Sequence, residues 1–194
     1  DGRNKAREFS FPELSLHVVS RLQLAGTMRP DNVWDVTVRG KTLDGRDFFQ
    51  SLFEVGQLRS KPLPQRKDQS GLDLKAEIDT VLGHHDLTLK GLRMQMSNRG
   101  GRTVAMTARG VVESSGRDAG KPLDVTIQQA AREPRRLPAR TDDAGQAFRL
   151  IGFYPNMHGG RMQLDVNLDG GGNADKTGRL YVERFSILGD PVEA

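Results

Sequence analysis

Residues 72–110 read LDLKAEIDTVLGHHDLTLKGLRMQMSNRGGRTVAMTARG, three apolar-polar runs separated by turn residues. In the first run Leu72, Leu74, Ala76 and Ile78 alternate with Asp73, Lys75, Glu77 and Asp79. A period of two is the signature of a strand with one dry face and one wet face. The second run carries Leu87 and Leu89, changes phase at Gly91, and resumes at Leu92, Met94 and Met96. A glycine at a phase change reads as a β-bulge. The third run places Val104, Met106 and Ala108 opposite Thr103, Thr107 and Arg109. Asn98-Arg99-Gly100-Gly101 is a short connection of the kind that joins antiparallel neighbours. The centre of the chain is therefore a meander of amphipathic strands.

The pattern extends in both directions. Upstream, residues 9–25 give two strands through Leu14, Leu16 and Val18, then Leu22 and Leu24, with Gly26 closing the second. Residues 32–39 alternate through Trp34, Val36 and Val38, and residues 40–45 form a turn-rich link. Residues 47–55 are apolar at helical spacing through Phe48, Phe49, Leu52 and Phe53, which favours a short helix. Residues 58–71 form a basic, proline-bearing loop. Downstream, residues 111–121 read as a polar, glycine-rich loop, and Leu123, Val125 and Ile127 as a strand. Residues 132–140 form a second basic proline loop. A helix is predicted over 142–151, with Thr141 as N-cap and Asp142 and Asp143 at the positive end of its dipole. Ala144, Ala147, Phe148 and Ile151 share one face of it, and Gly152 ends it. Two more strands follow, 161–168 through Met162, Leu164, Val166 and Leu168, and 179–188 through Leu180 and Val182, joined by the link 169–175.

About nine strands against one or two short helices make the expected fold mainly β. It is a strongly twisted antiparallel sheet forming an open groove or half-barrel. The 194 residues suit a single β-rich domain over 1–194. The opening Asp1-Gly2-Arg3, without Met, reads as a piece of a longer protein. Two short helices cannot cover so wide a sheet. Either it folds back as a sandwich or barrel, or its apolar face stays open as a trough for something apolar. A ten-residue strand spans roughly 33 Å, comparable to a stretched lipid.

Composition narrows the function. The 29 Lys and Arg against 25 Asp and Glu give a net charge of +4, interleaved along strands rather than gathered in a basic stripe, which argues against nucleic acid. Cys is absent, so thiol and zinc-thiolate chemistry are excluded. No apolar run approaches the length of a membrane helix. No nucleophile elbow, P-loop or H-E-x-x-H motif occurs, so the reading is non-enzymatic, with no cofactor and no metal. His84-His85 reads as a solvated turn, since adjacent histidines diverge and no third ligand is near. The 169–175 link lacks the spacing of a calcium loop and reads as a hairpin connection. Arg99-Gly100-Gly101, an RGG triplet, occurs once, between two strands, and reads as a turn.

A resemblance sharpens this. Residues 34–46 (WDVTVRGKTLDGR), the 72–110 meander, Thr141-Asp142-Asp143-Ala144-Gly145, Leu150-Ile151-Gly152 and Met157-His158-Gly159-Gly160-Arg161-Met162-Gln163-Leu164 are similar to the C-terminal region of AsmA-like proteins, the YhdP branch in particular. The likeness covers most of residues 10–194, and the Thr-Asp-Asp helix followed by Gly-Gly and an amphipathic strand is its most specific part. It implies a periplasmic envelope protein of a Gram-negative bacterium, tethered to the inner membrane by a segment outside this piece. It also implies phospholipid transport toward the outer membrane along a hydrophobic β-groove. The groove candidates are then Leu74, Ile78, Leu87, Leu89, Met94, Met96, Val104, Met106, Val125, Ile127, Met162, Leu164 and Val166. Met lines such a surface well because it adapts to varied apolar chains. Arg132, Arg135, Arg136 and Arg140, and the 61–67 loop, are candidates to meet anionic headgroups. The expected partners are phospholipid or another apolar ligand and the inner membrane. The rival reading is a scaffolding domain that binds protein through its sheet edges.

Overall fold

A computed structural model describes residues 7–16, 19–49, 70–114, 120–129, 133–169 and 177–189. Ten strands form one sheet in sequence order: β1 (Glu8–Leu16), β2 (Ser20–Met28), β3 (Val33–Asp44), β4 (Gly71–Leu82), β5 (Leu87–Arg99), β6 (Arg102–Ser114), β7 (Lys121–Ile127), β8 (Arg136–Thr141), β9 (Met157–Asn167) and β10 (Gly178–Ile187). Two short helices accompany them, α1 over residues 46–49 and α2 (Ala144–Leu150). The sheet does not close, because β1 and β10 are not neighbours. A mainly β, open, twisted sheet is the architecture that the alternation predicts.

The sheet is mixed rather than wholly antiparallel. β3 and β4 run parallel, Val36 beside Leu74 and Val38 beside Ala76. A parallel neighbour needs a crossover of a dozen or more residues, and the stretch 45–70, which begins with α1, supplies it. The rest of the 47–55 helix and the 58–69 loop lie outside the described residues.

Three segments read as loops are strands. β3 runs through Gly40 to Asp44, where Gly40 sits against Leu22 and Leu43 packs on the core. A Cβ at Gly40 would lie 2.4 Å from Leu22 Cδ2, so glycine marks a close approach there rather than a turn. β6 continues to Ser114, and Val112 is among the most buried residues. β8 occupies 136–141, inside the second basic loop, and makes ten strands rather than nine. Its Pro138 cannot donate to a ladder. β8 pairs without a break to β9, whereas its pairing with β7 is confined to 139–141 plus one bridge, Gln128 to Arg136. The proline falls where the β7–β8 ladder is interrupted.

The turns behave as their residues dictate. Arg99 pairs with Arg102 around Gly100 and Gly101, both at positive φ, as a type I′ hairpin requires. Gly91 has φ 59, and the β5–β6 register shifts between Lys90 and Arg93, so the bulge is present. The phase change is shared by β4. Ile78 and Val81, three residues apart, belong to one core cluster together with Leu87, Leu89 and Val112.

Helix α2 starts later than its sequence suggests. Asp143, not Thr141, is the N-cap: its Oδ1 accepts from the Gln146 N–H at 2.9 Å, while Thr141 Oγ1 accepts from the Asp143 N–H. Gly152, at φ 73, ends it. α2 packs on β9 and also touches β5, β6 and β10. β5 and β9 are four strand spacings apart, about 19 Å on a flat sheet. A seven-residue helix reaches both only if the sheet curls around it.

Candidate functional site in the apolar trough

The register places one apolar residue from every strand in a single row across the sheet. The row runs Phe11, Leu24, Val38, Ala76, Met94, Ala108, Val125, Ala139, Leu164 and Leu180. A second row, Val36, Leu74, Met96, Met106 and Ile127, lies alongside. Toward the other end, Ile78 opposes Leu92, and Leu43, Val81, Leu89 and Val112 form a row beyond the Gly91 bulge. Met162 opposes Thr141 and Val182. Twelve of the thirteen groove candidates fall in these rows or on the ends of the same face, with Leu87 opposite Ser114 and Val166 opposite Leu137 and Gly178; Val104, two residues before Met106 on β6, completes the set.

Burial along this face is graded. At the end where β4 turns into β5, Val81, Leu87, Leu89 and Val112 are buried, Leu87 and Val112 to 1% exposure. Helices α1 and α2 cover that end: Phe49 and Leu150 join the cluster, and the His84 N–H donates to the Leu150 carbonyl at 2.8 Å. Toward the β5–β6 hairpin the same face is half-buried at Leu74, Met94, Met96, Val104, Met106, Val125, Ile127, Leu164 and Val166. Ile78 and Met162 belong to the buried end. The candidates are thus split. Ile78, Leu87, Leu89 and Met162 are buried in the core, and Val125 and Leu164 pack against the cluster that α2 forms on β8 and β9. Leu74, Met94, Met96, Val104, Met106, Ile127 and Val166 line a stretch of sheet that neither described helix covers.

Two carboxylates at the uncovered end are gripped by arginines. Asp73 on β4 lies 2.9 Å from Arg29 Nη1 and 2.8 Å from Arg99 Nη1, and these guanidiniums, Arg99 foremost, lower its pKa to about 2. Asp169, after β9, accepts from the Arg135 side chain and backbone N–H and from Arg102 Nη2. Arg135 foremost holds its carboxyl well below the usual range. β7 ends at Ile127 opposite Met106, so residues 102–105 of β6 lack a β7 partner. Arg135 Nη1 donates to the Thr103 carbonyl at 2.6 Å across that gap.

The headgroup candidates are dispersed. Arg135 is only 14% exposed and is spent on Asp169 and Thr103. Arg136 is exposed and paired with Asp165 at 2.9 Å. Arg140 stands on the polar face between Asp124 and Gln163. Arg132 and the 61–67 loop lie outside the described residues. Sequence reasoning missed Arg29, Arg99 and Arg102, which gather at the uncovered end only through strand pairing.

The polar face carries a charge ladder, Arg39 beside Glu77 at 3.7 Å and Arg109 beside Asp124 at 2.7 Å, with Arg93 between them. His84 and His85 sit in the β4–β5 turn, His85 at positive φ. Among the described residues no three His, Asp or Glu side chains group to hold a metal ion, and no helix is long and apolar enough to cross a membrane. Comparison with models of known protein families, with curated proteins and with solved structures finds no match.

Proposed function

We propose that this chain is a non-enzymatic lipid-binding segment whose uncovered apolar face holds the acyl chain of a phospholipid or a similar apolar ligand. The observation that carries the reading is the burial gradient: one apolar face, sealed by helices at one end and half-exposed at the other. Among the described residues neither helix covers the second part, and contiguous, partly exposed apolar surface is the kind that takes up a ligand or partner. Met94, Met96 and Met106 give the uncovered stretch a lining that repacks around varied chains. Arg29, Arg99, Arg102 and Arg135 gather at that end on Asp31, Asp73 and Asp169, and a phosphate headgroup would compete with those carboxylates for the guanidinium N–H groups.

The likeness to AsmA-like proteins extends the proposal to a periplasmic segment of an inner-membrane-anchored protein that passes phospholipid between inner and outer membranes. Detergent-free purification followed by mass spectrometry of extracted lipid is the direct test. A phospholipid with a photoreactive acyl chain should then label Met94, Met96 or Met106. Absence of co-purifying lipid together with labelling confined to the polar face would overturn the reading.

A further inference from the structure

An open sheet leaves two edge strands, and here they differ in how they are guarded. Edges recruit other strands unless proline, a bulge or charge blocks them. β1 carries Pro12, and its register shifts between Phe11 and Leu14. β10 contains no proline, and from Gly178 to Glu183 it pairs with β9 residue for residue. Among the described residues nothing pairs with its outer side. Leu180 is 51% exposed and Tyr181 61%, the values of a side awaiting a neighbour.

The sequence of that stretch is self-complementary. Arg179-Leu180-Tyr181-Val182-Glu183, laid antiparallel against itself about Tyr181, sets Arg179 against Glu183 of the second copy and Leu180 against its Val182. Tyr181 meets Tyr181 at the axis, and Glu183 meets Arg179 on the far side. Opposite charges, apolar pairs and aromatic pairs placed directly across an antiparallel ladder all favour pairing. A slip of two residues in either direction loses both ion pairs. The kink at Arg184, which has φ 56, confines the match to this segment.

We propose that β10 is a homodimer interface, in which two copies pair antiparallel along 178–183 around a two-fold axis at Tyr181. The arrangement is isologous and therefore closes at two copies. An axis normal to the sheet keeps both apolar faces on one side, so the row ending at Leu164 and Leu180 continues into the second copy. This inference stands on the edge strand and is independent of whether the trough holds lipid.

Sedimentation velocity over a range of concentrations reads the dimer, and circular dichroism checks the fold. Arg179→Glu and Glu183→Arg each place like charges opposite one another across the axis and, within the chain, opposite Asp165 or Arg161 on β9. With circular dichroism showing β10 still in the sheet, each should raise the dimer dissociation constant at least tenfold. Mixed one to one, the two variants should form a heterodimer. Positions 179 and 183 are then both acidic in one copy and both basic in the other, so each ladder pair regains opposite charges. The chain has no Cys, so Tyr181→Cys introduces a single thiol, which should oxidise to a covalent dimer across the axis. A wild type that stays monomeric at all concentrations would overturn the proposal. So would charge reversals that leave a dimer untouched, a mixture that forms no heterodimer, or a Tyr181→Cys dimer that oxidation does not cross-link.

Discussion

The guanidinium of Arg135 grips both carboxylate oxygens of Asp169 and, through Nη1, the Thr103 carbonyl, joining β6 to the end of β9 where β7 falls short. One side chain thus substitutes for a missing length of strand. Asp169→Asn weakens the charge-assisted bonds and leaves a poorly exposed cation, so it should destabilise the fold by about 1–3 kcal/mol. Urea unfolding at neutral pH measures it. Asp169→Ala should cost at least as much, and equality of both with wild type would show the clamp to be idle.

Asp73 gives the pH dependence. Its folded pKa is depressed from the usual 3.8 to about 2 by Arg99 and Arg29. The stabilisation it contributes is therefore fully present above about pH 4 and is lost as pH falls toward 2. Asp73→Asn should flatten the acid limb of the stability curve between those values, relative to wild type. The check is unfolding free energy followed stepwise down the acid limb.

Glycines separate conformational strain from crowding. Gly91 has φ 59 with open space where a Cβ would stand, so Gly91→Ala meets only the left-handed backbone penalty, about 1–2 kcal/mol. Gly110 is opposite Leu123, and its Cβ would lie 2.8 Å from Leu89 Cδ1 and 3.0 Å from the Lys90 carbonyl oxygen. Gly110→Ala should cost more, because a buried side chain and a backbone must shift. Comparing the two denaturation midpoints tests the order.

The trough should show a stability gradient that follows its burial. Leu150 is fully buried over the sealed end, and Leu150→Ala should cost about 2–5 kcal/mol. Met106 is half-buried at the uncovered end, and Met106→Ala should cost about 1 kcal/mol or less in the absence of ligand. Similar losses at both positions would mean that the uncovered end is core.

Period-two alternation was legible wherever a strand has one wet face, so β2, β4, β5, β6 and β9 are readable from residues such as Leu74, Ala76 and Ile78. The Gly100-Gly101 hairpin and the Gly91 bulge were readable too, because glycine chemistry is local. β8 was not: Arg136, Pro138 and Arg140 look like a loop, and only the flanking ladders hold Ala139 in the sheet. The ends of β3 and β6 were hidden by glycines that serve close packing at Gly40 and Gly110. Of the site, the apolar rows were visible as residue types. Which part is covered depends on where α2 lands, and the arginine clamps depend on partners such as Arg102 and Asp169, 67 residues apart.

The central claim is that the uncovered apolar face is a ligand surface. Met94 lies between Ala76 and Ala108 in the ten-strand row and is half-buried. The decisive measurement is the thermal melt of Met94→Asp taken together with the lipid that co-purifies with it. An aspartate sealed in a core without a partner costs several kcal/mol, whereas one facing a ligand surface is hydrated when the ligand leaves. The account predicts a folded protein that has lost its lipid. A folded protein whose lipid content equals that of wild type would contradict it.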